Sequence, residues 1–185
     1  MDPDLLAQLV DWVKSKKFGK YRGQVVSNED TTGRGRLKVK VPEVLGTLEV
    51  WAMPCVPYAG PQVAFFTMPP DKAGVWIEFE GGDPSFPIWT GCFWADNQMP
   101  LGGKPGKKVW KTKSLTIVID DDGDKLTVEN TAKSNFELAA AITSKVKQAK
   151  HEVSSTGVTS DSGGKGKVEV TSASVAVNTN GFQVS

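Results

Sequence analysis

Histidine and cysteine are almost missing from this chain: its 185 residues include one His and two Cys. No CxxC pair exists to suggest a zinc or redox site, and the spacing of His and Cys gives no support to a Ser/His/Asp or Cys/His catalytic group. Cys55 and Cys92 sit among apolar or aromatic neighbours and are expected as buried free thiols. Long apolar runs are missing as well. Met1–Phe18 carries Asp2, Asp4 and Asp11, so no secretory or transmembrane segment is expected there, and assembly in a bacterial or archaeal cytoplasm is. Charge of one sign is not in excess either. Ten basic residues face twelve acidic ones up to position 100, and twelve face nine beyond it, for a net charge of +1. Such a balance does not suit a protein that neutralises phosphates. The local run Lys104, Lys107, Lys108, Lys111 and Lys113 reads as a solvated connector. Proline stops at Pro105, and fourteen of sixteen aromatics lie at or before Trp110, the exceptions being Phe136 and Phe182. The chain therefore has two parts of different character, with most of the bulky core-forming surface in the first.

The first part starts with a helix. Asp2-Pro3 precedes Leu5, Leu6, Leu9, Val10 and Val13, the spacing of one helical face after an N-cap and an N1 proline, and Gly19 stops it. From Tyr21 the period changes to two. Strands are expected over Tyr21–Val26 and Arg36–Val41, with Asn28–Gly35 as the hairpin loop, then over Leu48–Met53, Gln62–Phe66, Gly74–Glu80 and Phe86–Trp94. Several short strands in about 80 residues after one helix predict a small closed or partly closed barrel.

Beyond the Gly/Lys/Pro connector the pattern is sparse and repetitive. Apolar-x-apolar pairs recur as Ile117/Ile119, Leu126/Val128, Phe136/Leu138, Val168/Val170, Val175/Val177 and Phe182/Val184, amid Ser, Thr and turn signals such as Asp122-Gly123, Ser162-Gly163-Gly164 and Asn180-Gly181. Two inward side chains per strand offer too little apolar area to offset about 1–2 kcal/mol per residue of backbone ordering in a single chain. Several chains must share that core. Ala139–Lys150 has good helix propensity and competes with continued strands.

Gly23-Gln24-Val25-Val26, the run Gly35-Arg36-Leu37-Lys38-Val39-Lys40-Val41-Pro42 and the closing Trp51 resemble the opening of the OB-fold in phage baseplate spikes. That family includes the tail spike hub of T4-like phages, the baseplate assembly protein V group and the type VI secretion spike. The second half of the likeness is Pro69-Pro70, Gly74–Glu80, Gly81-Gly82-Asp83-Pro84, then Pro87, Trp89, Gly91 and Trp94. The tail, with its apolar pairs and glycine turns, looks like the family's triple-stranded β-helix needle. The resemblance implies a mainly all-β chain: an N-terminal helix over 1–19, a five-stranded OB barrel over 20–100, a linker over 101–114, and over 115–185 a triple-stranded β-helix built by a homotrimer. It also implies a structural, non-enzymatic central spike of a phage tail or phage-tail-like particle. Such a spike meets baseplate hub or tube-initiator proteins and wedge proteins, and touches the target membrane only mechanically. The expected OB positions are Gly35, Arg36, Val39, Pro42, Trp51, Gly81, Asp83, Pro84, Pro87 and Gly91.

Departures from the family narrow the expectation. Only the stretch from Ala95 to Leu115 separates barrel from stem, which leaves no room for the lysozyme domain some relatives carry. The metal-binding His-x-His tip of other relatives has no counterpart, since His151 lies far from Phe182-Gln183-Val184-Ser185. A bare β-helix end exposes strand edges, so a separate small conical tip protein of the PAAR type is expected. Asp120-Asp121-Asp122-Gly123-Asp124 fails as a calcium loop, because Lys125 and Thr131 stand where Gly and Glu are needed. His151 is expected at the surface of the trimer, with a threefold metal site as the minor alternative. Glu78 and Glu80 read as solvent-facing strand residues, and Thr32–Arg36 as a hairpin loop without the helix a phosphate cradle needs. No cofactor is expected. The reading from a different class is a single-stranded nucleic-acid-binding OB protein with a flexible tail.

Overall fold

The computed structural model describes residues 3–178 and 182–184. It divides into two compact units, residues 1–98 and 99–185. The expected N-cap Asp2 lies outside the described residues.

The first unit opens with α1 (Pro3–Ser15), whose Leu5, Leu6, Leu9 and Val13 are exposed. After it the backbone N–H of Lys17 donates to the Gly82 carbonyl at 2.8 Å. Five strands follow that close into a barrel in the order β1-β2-β3-β7-β6. These are β1 (Tyr21–Ser27), β2 (Leu37–Lys40), β3 (Glu49–Pro54), β6 (Gly74–Phe79) and β7 (Pro87–Phe93). All neighbours pair antiparallel except β3 and β7, which run parallel with Met53 opposite Ile88. A one-turn helix, α2 (Pro42–Leu45), joins β2 to β3. The period of two is visible in β6, where Val75, Ile77 and Phe79 are buried and Gly74, Trp76 and Glu78 are not. With Val25, Leu37, Val39, Val41, Ala52 and Trp89 they form the core. Gly23 lets β1 approach β6, since a Cβ there would meet the Ile77 side chain at 2.8 Å.

Two expectations for this unit need correction. Gln62–Phe66 is not a barrel strand: only β5 (Val63–Ala64) forms, paired with β4 (Ala59–Gly60) as an exposed two-stranded ribbon outside the barrel. The segment lies between Pro61 and Pro69-Pro70, which supply no N–H donors for a longer ladder. Cys55 and Cys92 are exposed, not buried. Cys55 follows β3 where the chain leaves the sheet, and Cys92, opposite Val75, is the penultimate residue of β7 at the open end of the β6–β7 hairpin. Partial burial still pushes the Cys92 thiol up.

The second unit is one antiparallel meander of ten strands. In chain order these are β8 (Lys107–Lys111), β9 (Leu115–Asp120), β10 (Lys125–Asn130), β11 (Asn135–Leu138) and β12 (Ile142–Val146), then β13 (Ala149–Ser154), β14 (Gly157–Asp161), β15 (Lys167–Thr171), β16 (Val175–Val177) and β17 (Phe182–Val184). The stretch 101–114, expected as a linker, contains β8. Its register explains why: Val109 lies opposite Val118 and Trp110 opposite Ile117, while Lys107 and Lys108 pair with Asp120 and Asp121. Ala139–Lys150 is strand and turn instead of helix, because Lys147 turns the chain at φ 54° and Ile142 pairs with Val153 across it. Cross-strand burial outweighs a few tenths of a kcal/mol of propensity per residue. In the single chain the segment expected as a triple-stranded β-helix is thus a plain sheet of antiparallel strands.

Removing three carbons' worth of packing from the barrel centre tests this core. Ile77→Ala should cost about 2–5 kcal/mol of barrel stability, read by denaturant unfolding followed through tryptophan fluorescence.

Candidate assembly interface

The register of the meander aligns the sparse apolar residues of the second half into two continuous rows on one face. The first row runs Ile119, Leu126, Leu138, Ile142, Val153, Val158, Val170 and Val175, each directly opposite the next. The second runs Trp110, Ile117, Val128, Phe136, Ser144, His151, Ser160, Val168 and Val177. At β17 the backbone of Val184 faces Val175 and that of Phe182 faces Val177. The side chains of this last expected pair lie outside the described residues, as does the Asn180-Gly181 turn.

Among the described residues of the second unit, none covers these rows. Ile119, Phe136, Leu138, Ile142, Val153, Val168, Val170 and Val175 are 38–49% exposed. Every buried residue among those described lies between Gly23 and Trp89, so the second unit has none. Its opposite face is polar and already satisfied. Lys125 pairs with Glu137, Lys150 with Glu152 and Lys167 with Glu169 at 3.0–3.2 Å. Glu152 also accepts from the Thr143 hydroxyl at 3.3 Å, and the Lys150 ammonium holds its carboxyl below the usual range. One face made for water and one bare apolar face is the pattern of a sheet that packs against something.

Three strands of this face escape a search for apolar pairs. β12, β13 and β14 each place one apolar and one polar residue in the two rows: Ile142 with Ser144, Val153 with His151, Val158 with Ser160, with Val146 and Ala149 paired beside them on the same face. The gap between Leu138 and Val168 in the sequence pattern is therefore a gap in pairing of apolar residues, not in the sheet. The alternation of single apolar residues was the signal that could have found them.

The expected OB positions fall around the barrel wall. Val39 is in the core and Pro87 is buried at the start of β7. Pro42 opens α2, and Gly35, with φ 70°, precedes β2. Gly81 adopts φ 57° in the turn from β6 to β7, where the Ser85 backbone N–H donates to Asp83 at 2.9 Å and holds its carboxyl below the usual range, with Pro84 between them. Gly91 pairs with Trp76 at the register shift of that hairpin. The Arg36 guanidinium lies 5.0 Å from the Trp51 ring and 2.9 Å from Asp30.

Asp30, not singled out by its sequence context, organises the Gly-rich loop. Its carboxylate accepts from the backbone N–H groups of Thr32, Arg34 and Arg36 at 3.0–3.1 Å, from the Thr32 hydroxyl at 2.8 Å and from Arg36. The donors that suggested a phosphate cradle are thus taken by the chain's own carboxylate. The Arg36 guanidinium, first, and these other donors hold the Asp30 carboxyl far below the usual range. A second internal pairing joins the acidic turn to the lysine run, and the Lys107 ammonium lowers Asp120 likewise. Glu78 pairs with Lys20, while Glu80 is exposed in the β6–β7 turn. Among the described residues no group of three or more His, Cys, Asp or Glu is arranged to hold a metal within one chain.

A small closed barrel with its polar groups satisfied, followed by a sheet with an uncovered apolar face, defines a protein of assemblies. Residues 21–94 match the type VI secretion system/phage-baseplate injector OB domain family. The barrel is similar to that family's domain, which supports a role in a baseplate injector as a component of a phage-tail-like particle, associated with other baseplate or spike components. No curated protein matches the chain.

Because the native carboxyl of Asp30 is depressed, its stabilising contribution is complete above the ordinary carboxylate value of about 3.9 and is lost as pH falls below it. Asp30→Asn should lower the barrel's thermal midpoint at pH 7. The difference from wild type should shrink steadily between about pH 4 and pH 2, read by melting curves across that range.

Proposed function

We propose that three copies of this chain form the central spike of a contractile injection system: three OB barrels and one shared, interwound β-helical needle at the centre of the baseplate. The carrying observation is the pair of apolar rows, uncovered across the meander in a unit without one buried residue. A sheet face of this kind is stabilised by burial worth about 25 cal/mol per Å², and copies of the same face are self-complementary. The trimer core would comprise Ile117, Ile119, Leu126, Val128, Phe136, Leu138, Val168, Val170, Val175, Val177, Phe182 and Val184, to which the register adds Ile142, Val153 and Val158.

The role is mechanical and not enzymatic. A contracting sheath does the work, and the needle needs stiffness to pierce an envelope. Chains whose ladders are interwound resist peeling because no strand is released without breaking its neighbours' hydrogen bonds. β17 ends the single-chain sheet with one unpaired edge, the surface we assign to a PAAR-type tip protein. The barrels would meet the hub or tube-initiator proteins and the wedges.

The single-strand-binding reading is disfavoured at three of the barrel's strand aromatics. Base stacking needs free ring faces, whereas the Arg22 guanidinium lies 5.4 Å from the Trp76 ring and 5.0 Å from Phe93, and Arg36 stacks on Trp51.

Light scattering coupled to size exclusion should give three chains per particle, and a gel run with and without heating in detergent should show a heat-sensitive trimer band. Val175→Asp with Val177→Asp places two carboxylates on the apolar face and should abolish that band while leaving the barrel folded. Heat-resistant trimers of full yield in that variant would refute the shared core, and salt-sensitive binding of single strands by a monomer would support the alternative.

A further inference from the structure

Within the two apolar rows, polarity between Ile117 and Val177 is confined to one place, Lys108 and Asn130 lying at the borders of the face beside Ile119 and Leu115. Ser144, His151 and Ser160 are consecutive cross-strand neighbours on β12, β13 and β14, in a row otherwise made of Ile, Val and Phe from Ile117 to Val177. His151 Nδ1 lies 2.8 Å from the Ser160 hydroxyl. Among the described residues, its other ring nitrogen and the Ser144 hydroxyl have no hydrogen-bond partner. All three residues are exposed.

We propose that this Ser144–His151–Ser160 tier is a registration key, the specificity-determining element that fixes how copies of the chain align along their shared core. The inference rests on the trimeric reading above. Apart from the tier, the two rows repeat one chemistry from strand to strand. A copy displaced by one or two strands along the core would again lay aliphatic residues against aliphatic residues, so burial alone discriminates weakly between alignments. The tier breaks this degeneracy. In the aligned assembly each tier meets its equivalents, and imidazole and hydroxyl groups supply both donors and acceptors to one another. In a displaced assembly the same groups face Val, Ile or Phe, and each buried polar atom without a partner costs its desolvation penalty. A single polar layer in an apolar seam sets register at some cost in stability in the same way in helical coiled coils. The same chemistry selects the occupant of the face: a foreign apolar surface would leave the tier unsatisfied, whereas a second copy of this chain satisfies it.

The test uses the full chain with Cys55→Ser and Cys92→Ser, and a Val168→Cys reporter directly opposite Ser160. In a symmetric, aligned trimer the reporters are equivalent residues around one axis, and an added oxidant takes two electrons from two of the three thiols, joins them in one inter-chain disulfide and leaves the third thiol free. With the native tier, about two of every three chains should run as a disulfide-linked pair and light scattering should give one species. With Ser144→Val, His151→Val and Ser160→Val together, copies should still associate, but the cross-linked fraction should fall by about tenfold and several species should appear. His151→Asn, which keeps polarity and size, should preserve most of the cross-linking and so separates register from folding. Unchanged cross-linking and a single trimeric species in the triple-valine protein would overturn the key. So would a native-tier trimer whose reporters never join. A native-tier protein that is monomeric would instead overturn the trimeric reading, and the key with it.

Discussion

An antiparallel sheet is held by its ladder in one direction and by burial of a face in the other. The second unit of this chain has the ladder in full, with nine antiparallel strand pairs from β8 to β17, and no fully buried residue among those described. Hydrogen bonds between strands contribute only about 0.5–1.5 kcal/mol each in net terms, while ordering the backbone costs about 1–2 kcal/mol per residue. The ladder alone cannot account for a stable stem. The apolar rows must be covered, and the charge-paired opposite face marks which side remains in water. The alternation of residues along each strand, the tight turns and the sparse composition of the tail are all consistent with that one requirement.

The barrel solves the same problem alone. Its strands curl until the inward side chains meet each other, so Leu37, Val39, Val41, Val75 and Ile77 are fully buried within one chain. Closure also removes the edges that an open sheet exposes. Its loops are fixed by local charge chemistry, above all Asp30, which gathers backbone and guanidinium donors of the β1–β2 loop. The two units therefore differ in their packing: one buries its apolar residues internally, and the other presents them on an open sheet face. This division suits a baseplate injector component: a self-sufficient domain to be positioned, and a sheet with a face open to a partner.

Polar interruptions in apolar seams are costly unless they meet their like. Ser144, His151 and Ser160 would destabilise a featureless core, and their adjacency across three strands makes them one feature and not three accidents. A repetitive stem gains from such a feature because repetition, which makes the core easy to extend, also makes it easy to misalign.

The sequence by itself determined the division into two parts, the helix before Gly19, the five barrel strands, and the presence of apolar pairs too sparse for one chain. These are local matters of period, turn residues and composition. The family likeness of Gly35–Pro42 and Gly74–Gly91 was legible for the same reason, since those runs are continuous in the chain. Tertiary structure alone decided what depends on residues distant in sequence. It moved Gln62–Phe66 out of the barrel, joined Lys107 and Lys108 to Asp120 and Asp121, and exposed the two cysteines. It also brought Ser144, His151 and Ser160 side by side, because cross-strand register, unlike period, is set by pairing and cannot be read from any one strand.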